Sequence, residues 1–228
     1  MDLLSISAAA RDNAEWCDAV CASHGRAGEF RTDAWTAAVR TPPYYPDAVT
    51  LAPGADAAAL VARIDSGAGA SVKDSFADLD LAPYGFEVLF EARWIRRPAG
   101  PPPAAPAWNR AEDPDALRAW ATAWDGGEGN ADLFRPRLLD HPGVSVVAGT
   151  REGDVAAGAV LTRGGGVVGV SNVFAADGAG AGWPVALAAA HALFPGVPLV
   201  GYEHGDDLDA ALRHGFAPLG PLRVWLRP

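Results

Sequence analysis

The sequence predicts an α/β chain: a mixed, twisted sheet flanked by helices, with a smaller α/β subdomain in front of it. Three observations lead there. Residues 108–228 alternate strand-like apolar runs with helix-periodic segments. Three consecutive strand-like runs are joined by short Gly-containing links, which favour antiparallel hairpins, while the later strand–helix–strand order calls for a mixed sheet. Finally, "RPAGPPPAAPAW", Arg97 to Trp108, is too rich in proline for a helix or a central strand and reads as an extended spacer. The implied division is 1–97, a linker at 98–107, and 108–228.

In the second part, "AEDPDALRAWATAWDG" begins a helix with Asp113 as N-cap and Pro114 in the first turn. Leu117, Trp120, Ala121 and Trp124 then recur at helical spacing. A short helix is expected over Ala131 to Leu139. The strands "VSVVAGT", "DVAAGAVLTR" and "GVVGVSNVFA" follow, separated by "REG" and "GGG". A glycine loop leads into a helix from Trp183 to Phe194. The strand "PLVGYE", the helix "DDLDAALRHG" closed by Gly215, and the strand "LRVWLR" complete the chain.

The first part is less regular. "NAEWCDAVCASHG" reads as a helix capped by Asn13 and ended by Gly25. "DAVTL" and "GASVKDSF" read as strands around the helix "ADAAALVARIDSG", and "EVLFEARWIRR" as a strand of good alternation. Pro42, Pro43 and Pro46 make "RTPPYYPD" an ordered loop carrying two tyrosines. "GFEVLFEARWIRRP" and "GFAPLGPLRVWLRP" echo one another at the ends of the two parts, which makes the first part a candidate partial copy of the second.

Composition narrows the function. The 228 residues are 50% hydrophobic and carry a formal net charge of -10. A chain this acidic is a poor match for nucleic acid or an anionic membrane and suits an amine-bearing partner better. The start lacks a basic leader and no run suffices to cross a membrane, so the expected location is cytoplasmic. Cys17, Cys21 and His24 share one helix face, read here as buried small-residue packing with no metal assigned. "VKDSFADLD" could supply Lys73, the sole lysine, or Asp74 to a cleft.

Two stretches point to a function: "NVFAADGAGAGWPVALAAAHALF", Asn172 to Phe194, and "ALRHGF" before the last strand. In this element order, residues from about Trp108 to Pro228 resemble the GNAT superfamily of acetyl-CoA-dependent N-acetyltransferases. The resemblance implies a GNAT-like fold in which a strand splays from its neighbour and pairs with pantetheine. A Gly-x-Gly loop and the following helix start would then hold the pyrophosphate. Here the binding residues would be Val173, Phe174 and Ala175 on the strand, Gly178, Gly180, Ala181 and Gly182 in the loop, and Trp183 at the helix start, with acetyl-CoA as cosubstrate. Two positions depart from the family pattern: Asp177 stands where Arg or Gln is usual, and Ala211 where many members have a tyrosine that protonates the leaving thiolate. The polar residues left at the splay are Glu203, a candidate general base, and Tyr202, a candidate proton donor; strand alternation would let only one of them face the cleft. Asn172 is a further candidate contact, and His214, at a helix end, a less favoured acid–base group. The expected activity is acetyl transfer to a small-molecule or peptide amine by direct attack, with oligomer formation left open. The alternatives are a catalytically degenerate acyl-CoA binder and an interaction module that keeps only the scaffold.

Overall fold

A computed structural model describes residues 3–104 and 107–228. The first helix, α1 (Leu3–Ser23), starts ten residues earlier than expected. Asn13 is therefore mid-helix and caps nothing. The reason is tertiary: Ile6, Ala9 and Ala10 lie fully buried against Trp94, Val200 and Leu222, so the small apolar run before Asn13 has a surface to cover. Three short strands follow: β1 (Glu29–Phe30), β2 (Ala34–Thr36) and β3 (Ala48–Thr50). Next are α2 (Ala57–Val61), shorter than its apolar stretch suggested, β4 (Ser71–Asp74) and the long β5 (Glu87–Arg97).

Beyond the proline-rich segment lie β6 (Trp108–Arg110) and α3 (Pro114–Asp125). Asp113 caps α3, its Oδ1 accepting from the Ala116 amide at 2.8 Å. The helix expected over Ala131 to Leu139 is instead two 3-10 turns, Ala131–Leu133 and Pro136–Asp140, with Pro136 starting the second. Then come β7 (Val144–Arg151), β8 (Asp154–Gly164), β9 (Val167–Ala175), a 3-10 turn (Ala179–Gly182), α4 (Trp183–Leu193), β10 (Leu199–Glu203), α5 (Gly205–Arg213) and β11 (Ala217–Leu226). Both hairpins among β7, β8 and β9 turn on two residues of positive φ, Glu152–Gly153 and Gly165–Gly166, the left-handed pairs that match strand twist.

All these strands form one sheet, ordered β1-β2-β3-β4-β11-β5-β10-β9-β8-β7-β6. The closing strands of the two parts lie at its centre. β5 pairs antiparallel with β10, from Leu199↔Arg97 to Glu203↔Arg93, and on its other edge with β11. β11 pairs in turn with β4. Each part thus lends its last strand to the other's ladder. A slip in register between Pro218 and Gly220 falls beside Pro218, one of two prolines in β11 that have no amide to donate. On one face, Trp16 of α1 and Trp120 of α3 share a core with Trp35, Phe134 and Val160. On the other face, α4 and α5 bury Trp183, Leu187, Ala210 and Ala211 with Phe216. Among the described residues no helix is long and apolar enough to cross a membrane.

Candidate functional site

The site begins where two parallel strands part. β9 and β10 pair only at Leu199↔Val168 and Val200↔Gly169. Beyond that, β9 carries a bulge. Ser171 pairs with Val160 and Phe174 with Gly158, so Asn172 and Val173 both stand opposite Ala159. Asn172 takes φ 52°, a conformation asparagine tolerates better than most residues. The extra residue bends β9 away and frees the facing edges. Gly201 sits at the fork, where a Cβ would come within 2.8 Å of the Val170 carbonyl oxygen.

The splayed strand feeds the glycine loop, and the glycines there serve different ends. Gly178 has φ 103° and makes the turn. At Gly182 a Cβ would lie 2.5 Å from the Phe174 carbonyl oxygen, so this glycine lets the helix start pack on the strand backbone. At Gly180 the nearest atom to such a Cβ is the Ala210 Cβ at 3.9 Å, an ordinary contact. Gly180 therefore faces free space. Its carbonyl oxygen meets His214 Nε2 at 3.1 Å, which ties the loop to the end of α5. His214 thus reaches across to the loop. Two predicted donors are partly committed: the Gly178 amide bonds to the Ala175 carbonyl at 3.1 Å, and the Ala181 amide to the Gly178 carbonyl at 3.0 Å. Trp183 offers only backbone, since its side chain is 2% exposed and packs on Phe216 at 4.9 Å between ring centroids. No side chain caps α4, which runs straight on from the 3-10 turn and keeps its positive end toward the loop. Asp177 does not point its charge at the loop unopposed, because Arg151 at the end of β7 pairs with it at 2.6 Å. In the first part, the loop before α2 is held by carboxylates. Asp56 caps α2 through the Ala59 amide at 3.0 Å, and Asp78 accepts from the Gly54 amide at 2.8 Å.

On the other side of the fork lies a cavity of about 280 Å³ between α1, the Tyr44–Pro46 loop, β4 and the splay. Both Tyr202 and Glu203 border it, as do Asn172, Asp12 and Lys73. The strand ends there, and the cavity wraps round its tip. Burial, with a smaller push from the charge of Asp207, raises the Glu203 carboxyl to about 8. Burial also raises Asp12 to about 7, against the lowering effect of its hydrogen bond from Thr162. That bond is 2.8 Å to Asp12 Oδ2, while Oδ1 is buried without a partner. The Lys73 ammonium donates to Asn13 Oδ1 at 2.7 Å and lies 4.1 Å from the centre of the Tyr202 ring. That ring meets Trp94 edge-on.

Several residues of interest fall elsewhere. Ala211 is fully buried in the α4–α5 core. Asp74 is used within its own turn, accepting from the Leu79 amide at 3.0 Å. Cys21 is buried in the core, His24 turns to the Leu133 carbonyl at 2.8 Å, and Cys17, though buried, does border the cavity. Sequence reasoning missed Asp12 and the contribution of the Tyr44–Pro46 loop.

With the geometry in hand, the chain can be compared with solved structures. It is similar over 96% of its length to a GCN5-related N-acetyltransferase from Kribbella flavida, covering 95% of that chain at 20% identity and a TM-score of 0.66. It is similar over 96% of its length to an acetyltransferase of the GNAT family from Novosphingobium aromaticivorans, covering 99% of that chain at 16% identity and a TM-score of 0.60. At these identities the likeness is one of fold, and it extends through both parts of the chain. No family model matches the sequence, and no curated protein matches it.

Proposed function

We propose that the chain is a cytoplasmic GNAT-like N-acyltransferase that moves an acetyl group from acetyl-CoA to an amine by direct attack. The observation that carries this reading is the fork itself: it opens toward an uncapped helix start with free space at Gly180 and toward a polar cavity holding Glu203. The residues fit the cosubstrate. The free edge of Val173 to Ala175 would pair with pantetheine, and the Gly178–Trp183 backbone and the α4 start would face the diphosphate. Bound there, acetyl-CoA supplies the acetyl thioester. Glu203 takes the proton from the acceptor ammonium and so frees the amine lone pair. Tyr202 carries Lys73 on its ring face, so its role in this reading is to position that lysine, and solvent supplies the proton to the departing thiolate. The first part is then a shortened copy of the second. It repeats the order strand, helix, parallel strand, helical turn, long strand, but with its loop sealed by Asp56 and Asp78.

The test is a thermal shift with acetyl-CoA, which must raise the melting temperature if the folded state alone binds it, followed by thiol release across an amine panel. Gly180→Val should fold normally and weaken CoA binding about tenfold or more, because its side chain fills the free space. Gly182→Val should instead lower the melting temperature, because it meets the Phe174 backbone. Full CoA affinity in Gly180→Val would remove the loop from the site. The buried Ala211 favours a second reading, an acyl-CoA binder without chemistry, which binding without turnover would establish. No binding would leave an interaction scaffold.

Asp177→Arg should free Arg151 and tighten CoA binding by about 1 kcal/mol at low salt, less as salt is added. Calorimetric titration at two ionic strengths checks this. Weaker binding would show that the Asp177–Arg151 pair holds the loop in shape.

A further inference from the structure

Lys73 stands on β4, in the first part of the chain, yet it borders the cavity that opens at the fork of the second. It is the only lysine of the chain and is 4% exposed. Among the described residues no carboxylate lies within ion-pair distance of it. An ammonium has three donors. Here one goes to Asn13 Oδ1 and one side rests on the Tyr202 ring, neither of which carries a compensating charge. The Cys17 thiol, which also borders the cavity, is pushed up to about 11 by burial and remains neutral. A charge taken out of water without a counter-ion costs several kcal/mol, and folds keep such groups where something else answers them. The carboxyls sharing the cavity, Asp12 and Glu203, are themselves held toward the neutral form by burial. Lys73 is thus a buried lysine with no counter-ion among the described residues, in the lining of a cavity of an otherwise acidic protein.

We propose that Lys73 seats an anionic group of the acceptor, and that the acceptor is a small amino acid whose carboxylate rests on Lys73 while its amine points to Glu203. This deepens the acyltransferase reading and rests on it. Lys73 and Glu203 both line this one cavity of about 280 Å³, with Lys73 resting on the ring of Tyr202, the neighbour of Glu203 in β10. A cavity of that size suits a small molecule that carries its amine and its carboxylate close together. The Ser171 hydroxyl and the Tyr45 hydroxyl border the same cavity and can donate to a carboxylate after small rotations.

The experiment is calorimetric titration of the full chain, with acetyl-CoA present and absent, using amino acids and their decarboxylated counterparts: glycine against methylamine, 4-aminobutyrate against propylamine, phenylalanine against phenethylamine. The parent should bind at least one amino acid, and bind it at least tenfold tighter than its counterpart. Lys73→Met should lose that preference while keeping its affinity for the amine. Lys73→Gln, which keeps a donor for Asn13, serves if Lys73→Met does not fold, and should lose the preference too. The proposal is overturned if no amino acid binds, if the simple amines bind as well, or if the variants discriminate as the parent does. Thiol release is read separately. An amino acid held through Lys73 but never acetylated would sink the transferase reading and leave the anion site standing.

Discussion

Glu203→Gln should lower acetyl transfer at neutral pH by about 10²-fold, the low end for loss of a general base, and the deficit should shrink as pH rises. Glu203 stands at the tip of β10, half-buried in the cavity, and burial first, then the negative charge of Asp207, raise its carboxyl to about 8. The ionised form is the base. In the parent, turnover should therefore climb between pH 6 and 9 as Glu203 gives up its proton. The glutamine variant has the same shape but no proton acceptor, so its rate should follow only the spontaneous ionisation of the acceptor amine. Asp207→Asn removes the second cause of the shift and should move the rising limb to lower pH. A thiol-release profile of the three proteins decides the matter. A glutamine variant as active as the parent at every pH would take Glu203 out of the mechanism.

Asp12→Asn should change how stability depends on pH. In the fold the Asp12 carboxyl is raised from 3.8 to about 7, first by burial, with the Thr162 hydrogen bond opposing and the charge of Glu15 adding to it. The folded state then holds a proton that the unfolded chain has released. The stability tied to this group is complete below pH 4 and is lost as pH rises through 7. The ceiling is roughly 4 kcal/mol, at about 1.4 kcal/mol for each unit. Glu203 acts in the same direction over a slightly higher window. Urea midpoints for the parent should therefore fall between pH 5 and 8. Asparagine can still accept from Thr162 but cannot ionise, so its midpoints should fall much less, with Glu203 supplying the remainder. An unchanged slope in the variant would mean that Asp12 is ionised throughout, stabilised by groups that burial alone does not reveal. Gly169 is the neighbour to watch, because a side chain there would run into Asp12.

What could be read in the sequence was local. The two hairpins of β7, β8 and β9 were legible because Glu152–Gly153 and Gly165–Gly166 bring their own left-handed turns. α3 was legible from Asp113 and Pro114, and the fork's loop from its glycines, because caps and turns are decided within a few residues. The short β1, β2 and β6 were missed, since two or three residues carry no periodicity. So was the first half of α1, which is a helix because a sheet lies beneath it.

By itself, then, the sequence determined the order of the longer elements in the second part, α3 and then β7 to β11, the place of the glycine loop and Glu203 at a strand end. Only the tertiary structure decided that β5 lies between β10 and β11, that Gly182 serves packing while Gly180 faces space, and that Arg151 answers Asp177. It also decided that Asp12, Lys73 and Glu203 border one cavity. The physical reason is common to all of these. A turn or a cap is settled by the backbone preferences of neighbouring residues, which the sequence carries openly. Strand partnership and the burial of a charge depend on groups far apart in the chain, whose mutual desolvation exists only after the sheet has closed.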